Sequence, residues 1–217
     1  MTIFLTHNKT KLAFHTLRDR DGPALLLLHG LGEQSQTTVP AECQAWPGPV
    51  YALDFTGHGE SSIPAGGGYT AENLMGDADA ALAVLGMATV VGRGLGAYVA
   101  LMLSGARPKL VRGAVLCDGP GLSGGGDHPG PLVVRGVPER DSPPDPFALV
   151  ELAADLRPAQ YAAAFAAIAA SSSDIEPAIA VAAKARPDWL SAVLEQPSVA
   201  PLALTEALAR FGATGSG

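Results

Sequence analysis

Two side chains in the middle of the chain are of the types that activate water. Asp118 directly follows the apolar segment Val111–Cys117, and His128 lies in the glycine- and proline-rich segment beyond it. A carboxylate at the end of a strand and an imidazole within reach of it could together take a proton from an attacking water. We therefore name Asp118 and His128 as the candidate catalytic pair. The alternative, in which neither side chain takes part in chemistry, stays open.

Three glycine-rich motifs each follow an apolar segment. They are HGLG at 29–32, DFTGHGESS at 54–62 and GRGLG at 92–96. Ligands of open parallel sheets bind just beyond the carboxyl ends of the strands, where these three motifs are predicted to lie. Leu95 begins a predicted helix, and the N-terminus of a helix favours an anion. Arg93 beside it either points to solvent or meets an anionic ligand.

The elements that must position these residues follow from the hydrophobic pattern. Residues 4–17 predict an antiparallel hairpin, and the continuous apolar runs at 24–28, 50–55, 89–91 and 111–117 predict strands buried on both faces. Helical patterns occupy 70–85 and 95–106, with Thr70 as the predicted N-cap. Strands that alternate with helices in this way indicate an α/β fold, a mostly parallel twisted sheet with helices on both faces.

The second half of the chain begins with a segment that is poor in regular structure. Residues 119–146 are rich in glycine and proline and are predicted to form a flap or insertion. A small helical cap is predicted over 147–170, followed by further strand and helix patterns and a frayed tail at 212–217. We predict a single domain over residues 1–217, since 217 residues are enough to bury one substantial core.

Composition excludes several classes of function. The chain is 47% hydrophobic and 16% charged, which is typical of a globular protein, and it has a net charge of -7. An acidic chain without a basic patch is not expected to bind nucleic acid or an anionic membrane. We expect no cofactor and no metal, and two cysteines are too few for a disulfide framework. The N-terminus lacks the pattern of a secretory signal, so we expect a cytoplasmic protein.

Taken together, in this order and spacing, the three glycine motifs resemble those of the α/β-hydrolase superfamily, particularly its small esterase and peroxidase-like members. The resemblance covers residues 4–121 well. It implies the α/β-hydrolase fold and assigns GRGLG to the sharp strand-to-helix turn, G-x-S-x-G, that carries the nucleophile.

The resemblance also implies that the catalytic triad is degenerate. Gly94 occupies the position of the nucleophile, and glycine has no group that could form an acyl-enzyme. The family's base is a histidine after the last strand, but this chain has no histidine after His128. The two backbone amides of the family's oxyanion hole correspond to Leu31 and Leu95. Because backbone donors do not depend on side chains, these amides are expected to persist and bind a ligand, with Arg93 beside them.

Two hypotheses for function follow. In the first, the chain is a pseudoenzyme that binds a small carboxylate- or ester-like molecule, or that contacts a protein partner or a second copy of itself. In the second, it is a hydrolase or lyase that acts on a small ester-like substrate through a substitute group, for which Asp118 with His128 is the best candidate. A panel of activated esters together with a fluorophosphonate probe would separate them.

Overall fold

A computed structural model describes residues 1–66, 68–128 and 142–213. The described residues form one eight-stranded sheet and six α-helices, with a short 3₁₀ turn at Ala41–Cys43. The strands are β1 Thr2–His7, β2 Thr10–Arg18, β3 Ala24–Leu28, β4 Val50–Leu53, β5 Ala88–Arg93, β6 Val111–Cys117, β7 Ile179–Val181 and β8 Val199–Pro201. The helices are α1 Ala71–Leu85, α2 Leu95–Ala106, α3 Pro146–Ala154, α4 Ala159–Ser172, α5 Asp188–Leu194 and α6 Leu204–Ala213.

The strand order in the sheet is β1-β2-β4-β3-β5-β6-β7-β8. β1 and β2 form the N-terminal hairpin and β2 pairs antiparallel with β4, whereas all the remaining pairs are parallel. Asn8 takes a positive φ of 49° at the hairpin turn, a conformation that asparagine tolerates better than most residues. The α/β-hydrolase fold, with a mostly parallel sheet and an antiparallel N-terminal hairpin, is thereby confirmed.

One face of the sheet is covered more thickly than the other. α1, α2, α4 and α5 pack side by side on one face, in the order α1, α2, α4, α5. α2 lies in the middle of this layer and is buried on all sides from Leu95 to Gly105. The opposite face carries α6 and the 3₁₀ turn, which contact each other around Trp46 and Phe211.

The sheet face that carries α6 has the thinner cover because one connection between strands lacks a helix. α1 follows β4 and α2 follows β5, but the connection from β3 to β4 contains only the three-residue 3₁₀ turn. This segment is rich in polar residues and proline, Glu33 to Pro40, which disfavour a full helix. The face of the sheet beside it therefore keeps a gap in its cover.

The segment predicted as a flap is only partly described. Residues 119–128 are an irregular loop, and residues 129–141 lie outside the described part of the chain. The predicted cap over 147–170 corresponds to α3 and α4, and α4 packs against α2 and α5 in the layer that covers the sheet. Of the predicted tail, residues 214–217 lie outside the described residues. Within the described ranges, no helix is both long enough and apolar enough to cross a membrane.

Candidate functional site

Gly94 stands in the sharp turn between β5 and α2 with φ 58° and ψ −118°. A Cβ atom built on Gly94 would lie 2.1 Å from the carbonyl oxygen of Pro120 and 2.6 Å from the carbonyl carbon of Gly119. Both distances are far below van der Waals contact, and backbone atoms cannot swing away as a flexible side chain can. The space in which a nucleophile would stand is therefore filled by the backbone of the loop that follows β6.

The amides of Leu31 and Leu95 converge on a single atom. Both donate hydrogen bonds to the carbonyl oxygen of Pro120, at 3.0 Å from Leu31 and 2.9 Å from Leu95. Two donors aimed at one oxygen is the geometry by which an oxyanion hole stabilises negative charge. Here the oxygen belongs to the chain itself, so the two amides already have an acceptor. That they bind a ligand stays a prediction.

Pro120 belongs to a loop, residues 119–126, whose backbone accepts hydrogen bonds from two buried side chains. The Arg157 guanidinium donates through Nη1 to the carbonyl oxygens of Gly121 and Leu122. The indole Nε1 of Trp189 also donates to Leu122, at 2.9 Å. Three consecutive carbonyl groups, of residues 120–122, thus accept hydrogen bonds from four donor groups contributed by different parts of the chain.

Arg157 is buried, with 1% of its surface exposed. Its Cζ atom lies 4.9 Å from the centre of the Tyr98 ring, a cation–π contact. Burial lowers the pKa of Arg157 to about 10, so the guanidinium stays positively charged at neutral pH. Sequence reasoning missed this residue, because a single arginine after an apolar helix carries no spacing signal that points to a site.

The carboxylate of Asp118 stabilises a neighbouring loop. Its two oxygens accept hydrogen bonds from the backbone amides of Lys184, at 2.7 Å, and Ala185, at 3.0 Å, just after β7. His128 is exposed at the end of the described part of the loop. Among the described residues, no hydrogen bond or ion pair joins the two side chains. The structure gives Asp118 a structural role, and the catalytic pair stays a prediction.

Arg93 is exposed at the surface, where its guanidinium pairs with the carboxylate of Glu33. Its Nε atom lies 3.0 Å from Oε2 of Glu33 and its Nη2 atom 3.0 Å from Oε1. Glu33 in turn accepts the amide of Gly30 at 3.0 Å, which ties the ion pair to the turn after β3. The hydrogen bonds that Arg93 donates to Glu33 raise the pKa of Arg93. Because Arg93 is 55% exposed, the pair contributes little to stability.

The two histidines of the glycine motifs are buried and support the turns. Nε2 of His29 accepts the amide of Phe55 at 3.1 Å, so its Nδ1 carries the proton and donates to the carbonyl oxygen of Gly30 at 2.8 Å. Burial, followed by the nearby His58, lowers the pKa of His29 to about 4. Burial also lowers the pKa of His58, whose Nδ1 is 3.1 Å from the carbonyl oxygen of Thr56. Neither imidazole faces Gly94 as a base would.

An open crevice lies where the cover of the sheet is thin, and we call it the 33–43 crevice. Its volume is about 440 Å³, within the range of small-molecule sites. Its floor is apolar, and Arg93 and Glu33 stand at its edge. The residues that line it include Leu27, Gln36, Cys43, Ala52, Val91, Cys117 and Leu204.

Both cysteines line this crevice as neutral thiols. Burial raises the pKa of Cys43 to about 11 and that of Cys117 to about 12. The thiolate is the nucleophilic form, and at neutral pH it is a very small fraction of either residue. The sequence did not single out the crevice, because it depends on a helix that is missing from the cover.

The chain is similar over its whole length to a thioesterase domain from the curacin biosynthetic pathway. That comparison gives a TM-score of 0.68 at 15% identity and covers 99% of this chain and 98% of that domain, so it shows the fold alone. Uncharacterized proteins of Mycobacterium tuberculosis and Mycobacterium bovis are 35% identical over 105 residues, 47% of this chain. The matched segment spans 30% of the length of those relatives. The model of the alpha/beta hydrolase family matches residues 25–215, and the chain therefore belongs to the alpha/beta hydrolase family.

Proposed function

We propose that this member of the family binds a small molecule and does not carry out triad hydrolysis. The observation that carries the proposal is the contact between Gly94 and the 119–126 loop. The Pro120 carbonyl oxygen lies where a nucleophile's Cβ would begin, and it also takes the two amides that would otherwise stabilise an oxyanion. Attack on an ester needs both a nucleophile and free donors for the developing charge.

The contacts of the remaining candidate groups support the same conclusion. Both carboxylate oxygens of Asp118 accept backbone amides, and His29 is held neutral between Gly30 and Phe55. A group that is fully engaged in holding a loop can act as a base only if the loop is rearranged. Catalysis through Asp118 and His128 would therefore require a different arrangement of these residues.

The 33–43 crevice is the site at which we propose that the ligand binds. Leu27 and Val91 offer an apolar floor, and the Arg93–Glu33 pair supplies a positive and a negative group at the edge. A volume of about 440 Å³ suits a molecule with one or two rings or a short acyl chain. The ligand class that fits is a small apolar molecule with one polar end, such as a carboxylate or an ester.

The test of catalysis combines a panel of activated esters with a fluorophosphonate probe of serine nucleophiles. We expect no labelling and no turnover that depends on a residue of this site. The matched control is Asp118→Ala, which removes the candidate substitute base. Robust turnover that is lost in Asp118→Ala would contradict the proposal and would favour the hydrolase or lyase hypothesis.

The test of binding uses the fluorescence of 1-anilinonaphthalene-8-sulfonate, an apolar anion of suitable size. We expect saturable binding to the native protein, and loss of most of that binding in Leu27→Trp, which fills the crevice. Met87→Trp is the control, since Met87 is 50% exposed and lies outside the crevice. Equal binding to Leu27→Trp and Met87→Trp would show that the dye does not occupy the crevice.

A further inference from the structure

One edge of the Arg157 guanidinium has no hydrogen-bond acceptor among the described residues. Its Nη1 atom donates to the loop carbonyl groups, but its Nε and Nη2 atoms are buried and have no hydrogen-bond partner among the described residues. No carboxylate forms an ion pair with it in the described chain. Asp155, two residues earlier, instead accepts the amide of Ala71 at 2.7 Å. Asp155 attracts the guanidinium only through space, and a buried cation without a hydrogen-bonded anion is costly and calls for a partner.

Two other arginines of this protein show what that edge binds. Arg93 holds Glu33 through Nε and Nη2, at 3.0 Å for each atom, and Arg107 holds Asp79 through Nε and Nη2, at 2.7 Å for each atom. The N–H bonds of Nε and Nη2 are parallel, so this edge matches the two oxygens of a carboxylate. In Arg157 the same edge is buried and meets no carboxylate of residues 1–66, 68–128 or 142–213.

The surroundings of this edge are aromatic. The guanidinium lies over the ring of Tyr98, whose hydroxyl is also buried without a hydrogen-bond partner among the described residues. Tyr98 meets Trp189 edge to face, with 5.0 Å between ring centres. A carboxylate attached to a flat apolar group would find a donor fork, a hydroxyl and aromatic surface at this one place.

The 119–126 loop covers the Nε–Nη2 edge of Arg157. A Cβ built on Gly124 would lie 2.7 Å from Nε of Arg157, so the glycine backbone packs directly against the guanidinium. On the outer side of the loop is an open depression of about 510 Å³, lined in part by Gly119, Leu122 and Ala153. The 119–126 loop therefore lies between this edge of Arg157 and the depression.

We propose that the Nε–Nη2 edge of Arg157, with the hydroxyl of Tyr98, is a binding site for the carboxylate of a small aromatic or acyl acid. The ligand enters when the 119–126 loop moves outward, and its carboxylate accepts hydrogen bonds from the Nε and Nη2 atoms, while Nη1 is the atom that donates to Gly121 and Leu122 in the closed form. The site lies on the opposite side of the sheet from the 33–43 crevice, so the inference does not depend on the proposed function. Because the closed form competes with the ligand, the observed affinity is lower than the intrinsic one.

The test uses sodium benzoate as the probe and the emission of Trp189 as the readout, in a Trp46→Phe background that leaves Trp189 as the single tryptophan. Benzamide, which has the same shape without the charge, is the control ligand, and ionic strength is held constant. We expect benzoate to change the emission saturably and to raise the melting temperature, and benzamide to do neither.

Variants locate the site. Arg157→Lys keeps the charge but loses the fork, and it should weaken benzoate binding about tenfold or more. Tyr98→Phe should weaken it several-fold through loss of the hydroxyl, and it serves if the lysine variant fails to fold. Arg107→Lys, at an exposed ion pair, is the matched control and should leave binding unchanged.

Three outcomes would overturn the inference. They are no response to benzoate at tens of millimolar, an equal response to benzamide, and undiminished binding in both Arg157→Lys and Tyr98→Phe. Because Leu27→Trp adds a second tryptophan, its binding of benzoate is followed by melting temperature. A benzoate-induced rise that is lost in Leu27→Trp but kept in Arg157→Lys would place benzoate in the 33–43 crevice, which would support the proposed function and refute this site. Binding that survives Leu27→Trp and is lost in Arg157→Lys would support this site alone.

Discussion

Replacing Gly94 with alanine tests directly whether the position of the nucleophile is filled. The substitution has two costs. A residue with a Cβ at φ 58° and ψ −118° is strained by about 1–3 kcal/mol. The new Cβ at 2.1 Å from the Pro120 oxygen also displaces the loop, which costs about 1–3 kcal/mol for overpacking and about 1 kcal/mol for each weakened hydrogen bond from Leu31 and Leu95. The lower ends of these ranges sum to a loss of about 4 kcal/mol in the free energy of unfolding, which we take as the expected minimum.

The chain offers two matched glycines that separate these costs. Gly86 has nearly the same backbone conformation, φ 76° and ψ −102°, but a Cβ there would meet no atom within 4 Å. Gly66 has the same open space without a positive φ. Gly86→Ala should cost about 1 kcal/mol, from strain partly offset by the lower entropy of the unfolded chain. Gly66→Ala should be neutral or slightly stabilising.

The assay is urea denaturation of the three variants and the native protein, with midpoints and slopes compared. The difference between Gly94→Ala and Gly86→Ala, about 3 kcal/mol, measures the contact with the 119–126 loop. For a chain of 217 residues this corresponds to a difference in melting temperature of about 6–12 °C. Equal losses in the two variants would refute the conclusion that the loop fills this position. Gly94→Ser should behave as Gly94→Ala does and gain no labelling by a fluorophosphonate.

Two further predictions concern the buried titratable groups. The pKa of His29 falls from 6.5 to about 4 on folding. Between these two pH values the unfolded chain binds more protons than the folded one, so the free energy of unfolding decreases as the pH decreases. The loss should reach about 3 kcal/mol below pH 4. Denaturation between pH 4 and pH 7 checks this, and His29→Gln should show a flatter dependence on pH; an unchanged slope would contradict it. Asp118→Asn should lower the free energy of unfolding by about 1–2 kcal/mol. The new side-chain NH₂ group would face the backbone N–H of either Lys184 or Ala185, and two donors cannot form a hydrogen bond with each other. Denaturation of Asp118→Asn beside Asp21→Asn, at an exposed carboxylate, measures this loss, and equal midpoints would argue against a structural role for the Asp118 carboxylate.

The fold could be predicted from the sequence because its signals are local. ALLLL at 24–28 has the continuous apolar character of a strand buried on both faces, and it became β3 in the middle of the sheet. Thr70 occupies the predicted N-cap position of α1, and its hydroxyl oxygen accepts a hydrogen bond from the amide of Asn73 at 3.2 Å. The resemblance to the G-x-S-x-G turn implies that strand and helix approach closely at the flanking glycines, Gly92 and Gly96, and a Cβ on Gly92 would lie 2.1 Å from the carbonyl oxygen of Gly96.

The candidate site was predictable only in part, since the sequence names the groups but not what they contact. It indicated that Leu31 and Leu95 present two amides, and their convergence followed from the motif. That both donate to Pro120 depends on a loop with no periodicity, placed by Arg157 and Trp189 from distant parts of the chain. Nothing in the spacing of the sequence connects these residues.

By itself, then, the sequence determined the order of strands and helices, the sharp turn at Gly94 and the loss of the serine, because hydrophobic period and glycine chemistry are local properties. Only the tertiary structure decided that the space above Gly94 is filled, that Nε and Nη2 of Arg157 find no partner in the described part of the chain, and that a crevice opens beside residues 33–43. These features depend on which distant backbone and side-chain atoms meet in space, and non-local contacts of that kind leave no periodic signal in a single chain.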